Sequence, residues 1–160
     1  MSFKQRNKNR RFRQNGGFSQ YEPLYEKLKT AKDYSIAAKK LIRQGEFEKA
    51  ASLLREGREH WPTNPFLVSQ LIKIYGPYKF REAKALFEEA KQKGIADDVT
   101  YNTVLNIYAK RHNLSPQDLE KAQKLFEEAK QKGIANEVSY ATMLNIYANS
   151  SLSPQDLEKA

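Results

Sequence analysis

Apolar side chains recur along most of this chain at intervals of three and four residues, and glycine, proline and capping residues break the stripes at regular places. Behind Pro23, the spacing of Leu24, Leu28 and Ala31 predicts a short helix within 21–33. Ala37, Ala38, Leu41 and Ile42 make one stripe, with Asp33 or Ser35 as the expected N-cap and Gly45 as its end. A second helix is predicted from Phe47 to about His60, with Phe47, Ala50, Ala51, Leu53 and Leu54 facing inward and Pro62 stopping it. Asn64 and Pro65 open a helix carrying Leu67, Leu71, Ile72, Ile74 and Tyr75, broken by Gly76-Pro77. The returning helix carries Ala83, Leu86, Phe87 and Ala90, and Gly94 ends it behind Lys91 and Lys93. Asp98 is the expected cap of the next helix, with Tyr101, Val104, Leu105 and Tyr108 on one face. Ser115-Pro116-Gln117-Asp118 then reads as an N-cap, a first-turn proline and an acid at the third helical position. Leu119, Ala122, Leu125, Phe126 and Ala129 form its stripe, up to Gly133. Glu120 with Lys124, and Glu128 with Lys132, are expected i,i+4 pairs of a few tenths of a kcal/mol each.

The stripes are also copied. LFEEAKQKGIA stands at 86–96 and again at 125–135, LNIYA at 105–109 and 144–148, and LSPQDLEKA at 114–122 and 152–160. A fixed period of this length marks a helical array in which each unit buries its apolar face against its neighbours. The expected fold is all-α: a right-handed α-solenoid of helix-turn-helix repeats, preceded by a disordered basic tail at 1–20 and the helix at 21–33. The array occupies 34–160, in units of about 34–63, 64–97, 98–136 and 137–160. The fourth unit reaches only part of its second helix, so we expect a piece of a longer array.

Charge changes this picture at one end. The net charge is +9, and six cations, Lys4, Arg6, Lys8, Arg10, Arg11 and Arg13, fall in the first thirteen residues with no acid among them. The remainder holds 22 basic against 19 acidic residues. Phe3, Phe12 and Phe18 interleave with the tail cations, the mixture that pairs phosphates while stacking on bases. The same composition also suits a solvated tail or a weak organelle-targeting segment. Absence of cysteine excludes disulfides and thiolate metal sites. No apolar run approaches the ~18 residues of a membrane span, which leads us to expect a soluble, intracellular protein.

Candidate chemistry is sparse. The neighbouring carboxylates Glu88-Glu89 and Glu127-Glu128 point about 100° apart on a helix, which suits a solvated face rather than acid–base catalysis. His60 and His112 lack ligand partners at metal-binding spacing. Trp61, before Pro62, reads as packing at a hairpin junction, and Tyr75, Tyr108 and Tyr147 as repeated inter-helix packing. No phosphate-binding glycine loop or nucleophile elbow occurs. We therefore expect a non-enzyme without cofactor, metal, membrane or small-molecule substrate.

Gly45, Phe47, Ala50, Leu54 and Pro62 fall at the spacing of a tetratricopeptide repeat, which the first hairpin resembles. Gly57 departs from that family's alanine and weakens its helix by about 1 kcal/mol if exposed. Val99-Thr100-Tyr101-Asn102-Thr103-Val104-Leu105, Leu119-Glu120-Lys121-Ala122, Leu125-Phe126-Glu127-Glu128-Ala129 and Lys132-Gly133-Ile134 resemble pentatricopeptide repeats, and the resemblance extends over 66–148. It implies that each hairpin contacts one base of single-stranded RNA. Carried over, the base-reading positions are Asn102 with Asn136 and Ser69 with Asp97, the first pair implying a pyrimidine and the second a purine; the six tail cations would hold phosphates. Three features depart from that pattern: Val68 stands in place of the first-helix tyrosine, Ala141 occupies a reading position, and 111–117 lengthen the turn. The long turn is similar to that of Sel1-like repeats, which bind proteins. The leading expectation is single-stranded RNA binding, and the alternative is a scaffold for a peptide or protein partner.

Overall fold

The computed structural model describes residues 28–111 and 114–150. The expected basic tail, most of the 21–33 helix, His112 and the LSPQDLEKA copy at 152–160 lie outside them. Seven helices and no strand occur among the described residues: α1 Ala31–Arg43, α2 Phe47–His60, α3 Pro65–Tyr75, α4 Phe80–Gln92, α5 Asp98–Ala109, α6 Pro116–Gln131 and α7 Glu137–Asn149.

α1 with α2, α3 with α4, and α5 with α6 form hairpins, and the odd-numbered helices also touch one another in series, α1 to α3 to α5 to α7. The even-numbered helices lie behind them, and each reaches the first helix of the following hairpin. The result is an α-solenoid with a layer of first helices and a layer of second helices. Alanines make the layers close: Ala50, Ala51, Ala83, Ala90, Ala122 and Ala129 are all buried, where a longer side chain would hold the backbones apart. Leu54, Leu67, Leu71 and Leu105 are fully buried between them, each worth about 1.5–3 kcal/mol of transfer free energy.

The helix ends follow from local hydrogen bonds. Asn64 and Ser115 cap α3 and α6 as expected, with proline in the first turn of each. α1, however, begins at Ala31, inside the stretch expected to form a separate helix, and its cap is Thr30 rather than Asp33 or Ser35. Asp33 is the N3 partner of a capping box: the Thr30 backbone N–H and hydroxyl both donate to its carboxylate, and the Asp33 backbone N–H donates back to Thr30 Oγ1. Likewise α5 is capped by Asp97, not Asp98, through Thr100 N–H donating to Asp97 Oδ1 at 2.9 Å. Gly133 takes the left-handed conformation (φ +68°) that closes α6.

Three packing expectations need correction. Phe47 is exposed and sits beside the Tyr78 ring, 6.5 Å away, because α2 starts at the rim of the hairpin. Gly57 is buried, and a Cβ there would lie 2.9 Å from Tyr34 Cδ1, so its small size admits the Tyr34 ring. Glu128 is not paired with Lys132; it accepts from Lys91 of α4 at 2.9 Å and from the Tyr101 hydroxyl of α5 at 2.6 Å. It thus joins three helices of two successive hairpins.

Candidate nucleic-acid interface

The odd-numbered helices present comparable stripes. On α5, Val99, Asn102, Asn106 and Lys110 follow at three- and four-residue spacing, which puts them on one face. Phe66, Ser69 and Lys73 occupy the matching face of α3, and Val138, Ala141, Asn145 and Asn149 that of α7. Phe66, Val99 and Val138, at the start of each stripe, are exposed apolar side chains. Single apolar residues on a surface are ordinary, but here one recurs at the same place in three successive units.

The middle of the α5 stripe is a hydrogen-bonded junction. Asn102 Nδ2 donates to Asn136 Oδ1 at 3.0 Å, and Ser139 Oγ donates to Asn102 Oδ1 at 2.6 Å. Asn136 Nδ2 donates to Asp98 Oδ2 at 3.0 Å. Asn136 also caps α7, its Oδ1 accepting from the Ser139 backbone N–H, and its own backbone N–H donates to Ser139 Oγ. The structure thus brings together Asn102 and Asn136 across two units. Ser69 and Asp97 are each turned to their own helix: the Ser69 hydroxyl donates to the Phe66 carbonyl at 3.1 Å, and Asp97 Oδ1 accepts from Thr100 Oγ1 at 2.6 Å. At the α1–α3 boundary the corresponding polar contact is Gln70 Nε2 donating to Ser35 Oγ, while Gln70 Oε1 is buried without a partner. Lys4, Arg6, Lys8, Arg10, Arg11 and Arg13 lie outside the described residues.

Beyond the junction the groove between α3 and α5 opens into a cavity of about 670 Å³. Lys73, Lys110 and Arg111 reach it, with Thr103, Asn106 and the exposed Tyr78, and no carboxylate lines it. Arg111 lies 4.5 Å from the Phe80 ring centre and 3.4 Å from Asp118, whereas Lys73 and Lys110 are exposed. Gly76 makes the close approach that shapes this groove: a Cβ would stand 2.5 Å from Ile107 Cγ1. The sequence reading missed these cations. Lys73 and Lys110 stand apart in the chain, and only the four-residue steps behind Ser69 and Asn106 signal them.

Charged pairs elsewhere are structural. Burial opposes ionisation of Glu128, but the hydrogen bonds from Tyr101 and Lys91 outweigh it and hold the carboxyl below its ordinary value. Glu89 is lowered too, first by the hydrogen bond from Lys93 and then by the charge of Arg58. Burial, then the bond to Glu56, pushes the Tyr34 phenol up to about 12. The tilted Tyr34–Trp61 ring contact, at 5.7 Å, places Trp61 in hairpin packing. Among the described residues no group of three or more His, Asp or Glu side chains is placed to hold a metal ion, and no helix is long and apolar enough to cross a membrane.

The stretch that carries the Asn102–Asn136 junction is also similar to a known repeat family. The PPR repeat family matches residues 96–149. Over these residues the chain is similar to PPR repeats. The PPR match begins just before the Asp97 cap and ends with α7, so it spans the third hairpin and the first helix of the fourth. For these residues the similarity suggests a helical-repeat binding module. No curated protein and no solved structure matches the chain.

Proposed function

We propose that this array binds single-stranded RNA along its first helices, with Asn102 and Asn136 reading a base at the boundary of the third and fourth units. The observation that supports this reading most is their meeting at 3.0 Å, with Asn102 on an α5 stripe that starts with the exposed Val99 and ends with Lys110. A splayed base needs three things from a protein: a flat apolar contact, hydrogen-bonding groups at its Watson–Crick edge, and positive charge for its phosphate. Val99 and Val138 supply the first, the Asn102 and Asn136 amides the second, and Lys110 with Lys73 the third. One hydrogen bond joins the two amides, whose other polar atoms are held by Ser139, Asp98 and the α7 cap, so a base enters by taking the Asn102 Nδ2 donor from Asn136 Oδ1. Ser69 with Asp97 forms a second reading pair only if both turn away from their own helices. The six tail cations add further phosphate contacts.

Salt dependence tests this assignment of charge. Each phosphate-neutralising cation adds about 0.7 to the slope of log affinity against log salt for a single strand. The six tail cations therefore give a slope of about −4. Exchanging Lys73 and Lys110 together for glutamine should flatten the full chain's slope by about 1.4. An unchanged slope removes the groove from the RNA path. If a chain lacking residues 1–20 no longer binds RNA at all, base reading by the hairpins fails.

A further inference from the structure

The turn between α3 and α4 carries an aromatic ring that the core does not use. The hydroxyls of Tyr34, Tyr75, Tyr101 and Tyr147 are each hydrogen-bonded to a side chain of another helix. Tyr78 differs: its hydroxyl has no partner among the described residues, and at 77% exposure it is the most exposed large apolar side chain among them. Its place is nevertheless fixed. Pro77 restricts the backbone before it, and the Tyr78 and Lys79 N–H groups both donate to the Tyr75 carbonyl, at 3.0 and 2.6 Å. The ring stands at the groove between α3 and α5, whose cavity of about 670 Å³ it lines together with Lys73 and Lys110. That volume falls within the ~300–1,000 Å³ of pockets that enclose a small ligand.

The charge in the groove is close to what one phosphate needs. Lys73 stands in the last turn of α3, and Lys110 is the C-cap of α5. The carbonyl ends of the two helices together carry about one negative charge, against which the two ammonium groups set two positive ones. Arg111 is offset by Asp118, 3.4 Å away, and Lys79 by Glu48, 3.3 Å away. About one positive charge is thus left over beside an exposed ring. The geometry points to a nucleotide subsite in this groove: Tyr78 stacks on a base, and Lys73 with Lys110 holds its phosphodiester. A string of carboxylates would satisfy the lysines and leave the ring uncovered, whereas a nucleotide engages both. Lys110 follows Asn102 by eight residues, about 12 Å along the helix, so the base on Tyr78 is a neighbour of the one at Asn102 and Asn136. The inference rests on the RNA reading above and adds to it a site that holds any base, since every base has a π face.

A labelled short single-stranded RNA, and copies of it made abasic at one position at a time, are the probes, titrated against the full chain by fluorescence anisotropy. Tyr78→Ala should weaken binding about tenfold without changing the salt slope, and Tyr78→Phe should restore it, because stacking needs the ring and not the hydroxyl. The side chain is exposed, so Tyr78→Ala keeps the stability of the parent. One abasic position should weaken binding to the parent to a similar extent, and with that RNA Tyr78→Ala costs nothing further. In Tyr78→Trp, the intact RNA should quench the added indole beyond any change seen in the parent, while that abasic RNA does not. The subsite is overturned, with the RNA reading left standing, if Asn102→Ala loses a base preference while Tyr78→Ala binds like the parent, or if no abasic position cancels the effect of Tyr78→Ala. Polyglutamate that binds with the same dependence on Tyr78 overturns it as well, in favour of an acidic peptide. A parent chain that binds no RNA overturns both readings together.

Discussion

At the scale of single residues, several side chains do work that their type alone does not announce. Gly57 reads in the sequence as a weak point in α2, since alanine is the better helix former by about 1 kcal/mol. In the structure it is the seat of Tyr34, a ring fixed on its other sides by Trp61 and by its bond to Glu56. Gly57→Ala should therefore destabilise the chain by about 1–2 kcal/mol despite its helix propensity, because an overpacked core costs about 1–3 kcal/mol. Chemical denaturation measures this, and a stabilised variant shows that Tyr34 shifts freely. Asp97 and Asn136 illustrate a different ambiguity. Asp97-Asp98 offers two candidate caps one residue apart, and only the hydrogen bond from Thr100 decides between them. The Asn102–Asn136 meeting was legible from the resemblance. Their mutual hydrogen bond, with Ser139 as a third partner, was not, because it depends on how two units stack.

At the scale of elements, the stripes of apolar residues gave the helices and their pairing, since a three- and four-residue period leaves little freedom. The polar contacts between hairpins were harder to read. Glu128 and Lys132 satisfy the i,i+4 rule on paper, yet Lys91, thirty-seven residues earlier, lies nearer in space and takes the carboxylate with Tyr101. A one-step counterpart precedes it: Arg58 of α2 donates to Glu89 of α4 at 2.7 Å. This ladder along the second helices carries a pH dependence. The carboxyls of Glu89 and Glu128 titrate lower in the folded chain than their ordinary value of about 4.5. Their contribution to stability is therefore complete above that pH and is lost as pH falls through the lowered folded values. Thermal melting followed from pH 7 down to about pH 3 should show a falling melting temperature, and Glu128→Gln should make that fall shallower. A parallel fall in parent and variant contradicts the ladder's role.

At the scale of the whole molecule, the array is a frame that repeats its packing positions and varies the residue in the middle of the first-helix stripe, where Ser69 and Asn102 are buried and Ala141 is exposed. Ser69, Asn102 and Ala141 stand at the same place on α3, α5 and α7, flanked each time by an exposed apolar residue one turn before. The groove cations were hidden from the sequence because Lys73 and Lys110 acquire a common meaning only when α3 and α5 lie side by side. The central claim is that the Asn102–Asn136 pair selects a base, while the cations hold the strand irrespective of sequence. Fluorescence anisotropy with short single-stranded RNAs differing at one nucleotide, on the parent chain and on Asn102→Ala at several salt concentrations, tests it most directly. A paired set of hydrogen bonds to a base edge is worth about 1–3 kcal/mol of discrimination. The account predicts that Asn102→Ala loses a pyrimidine preference of about tenfold while the salt slope stays the same. An unaltered preference, or equal affinity of the parent for every RNA, would contradict it.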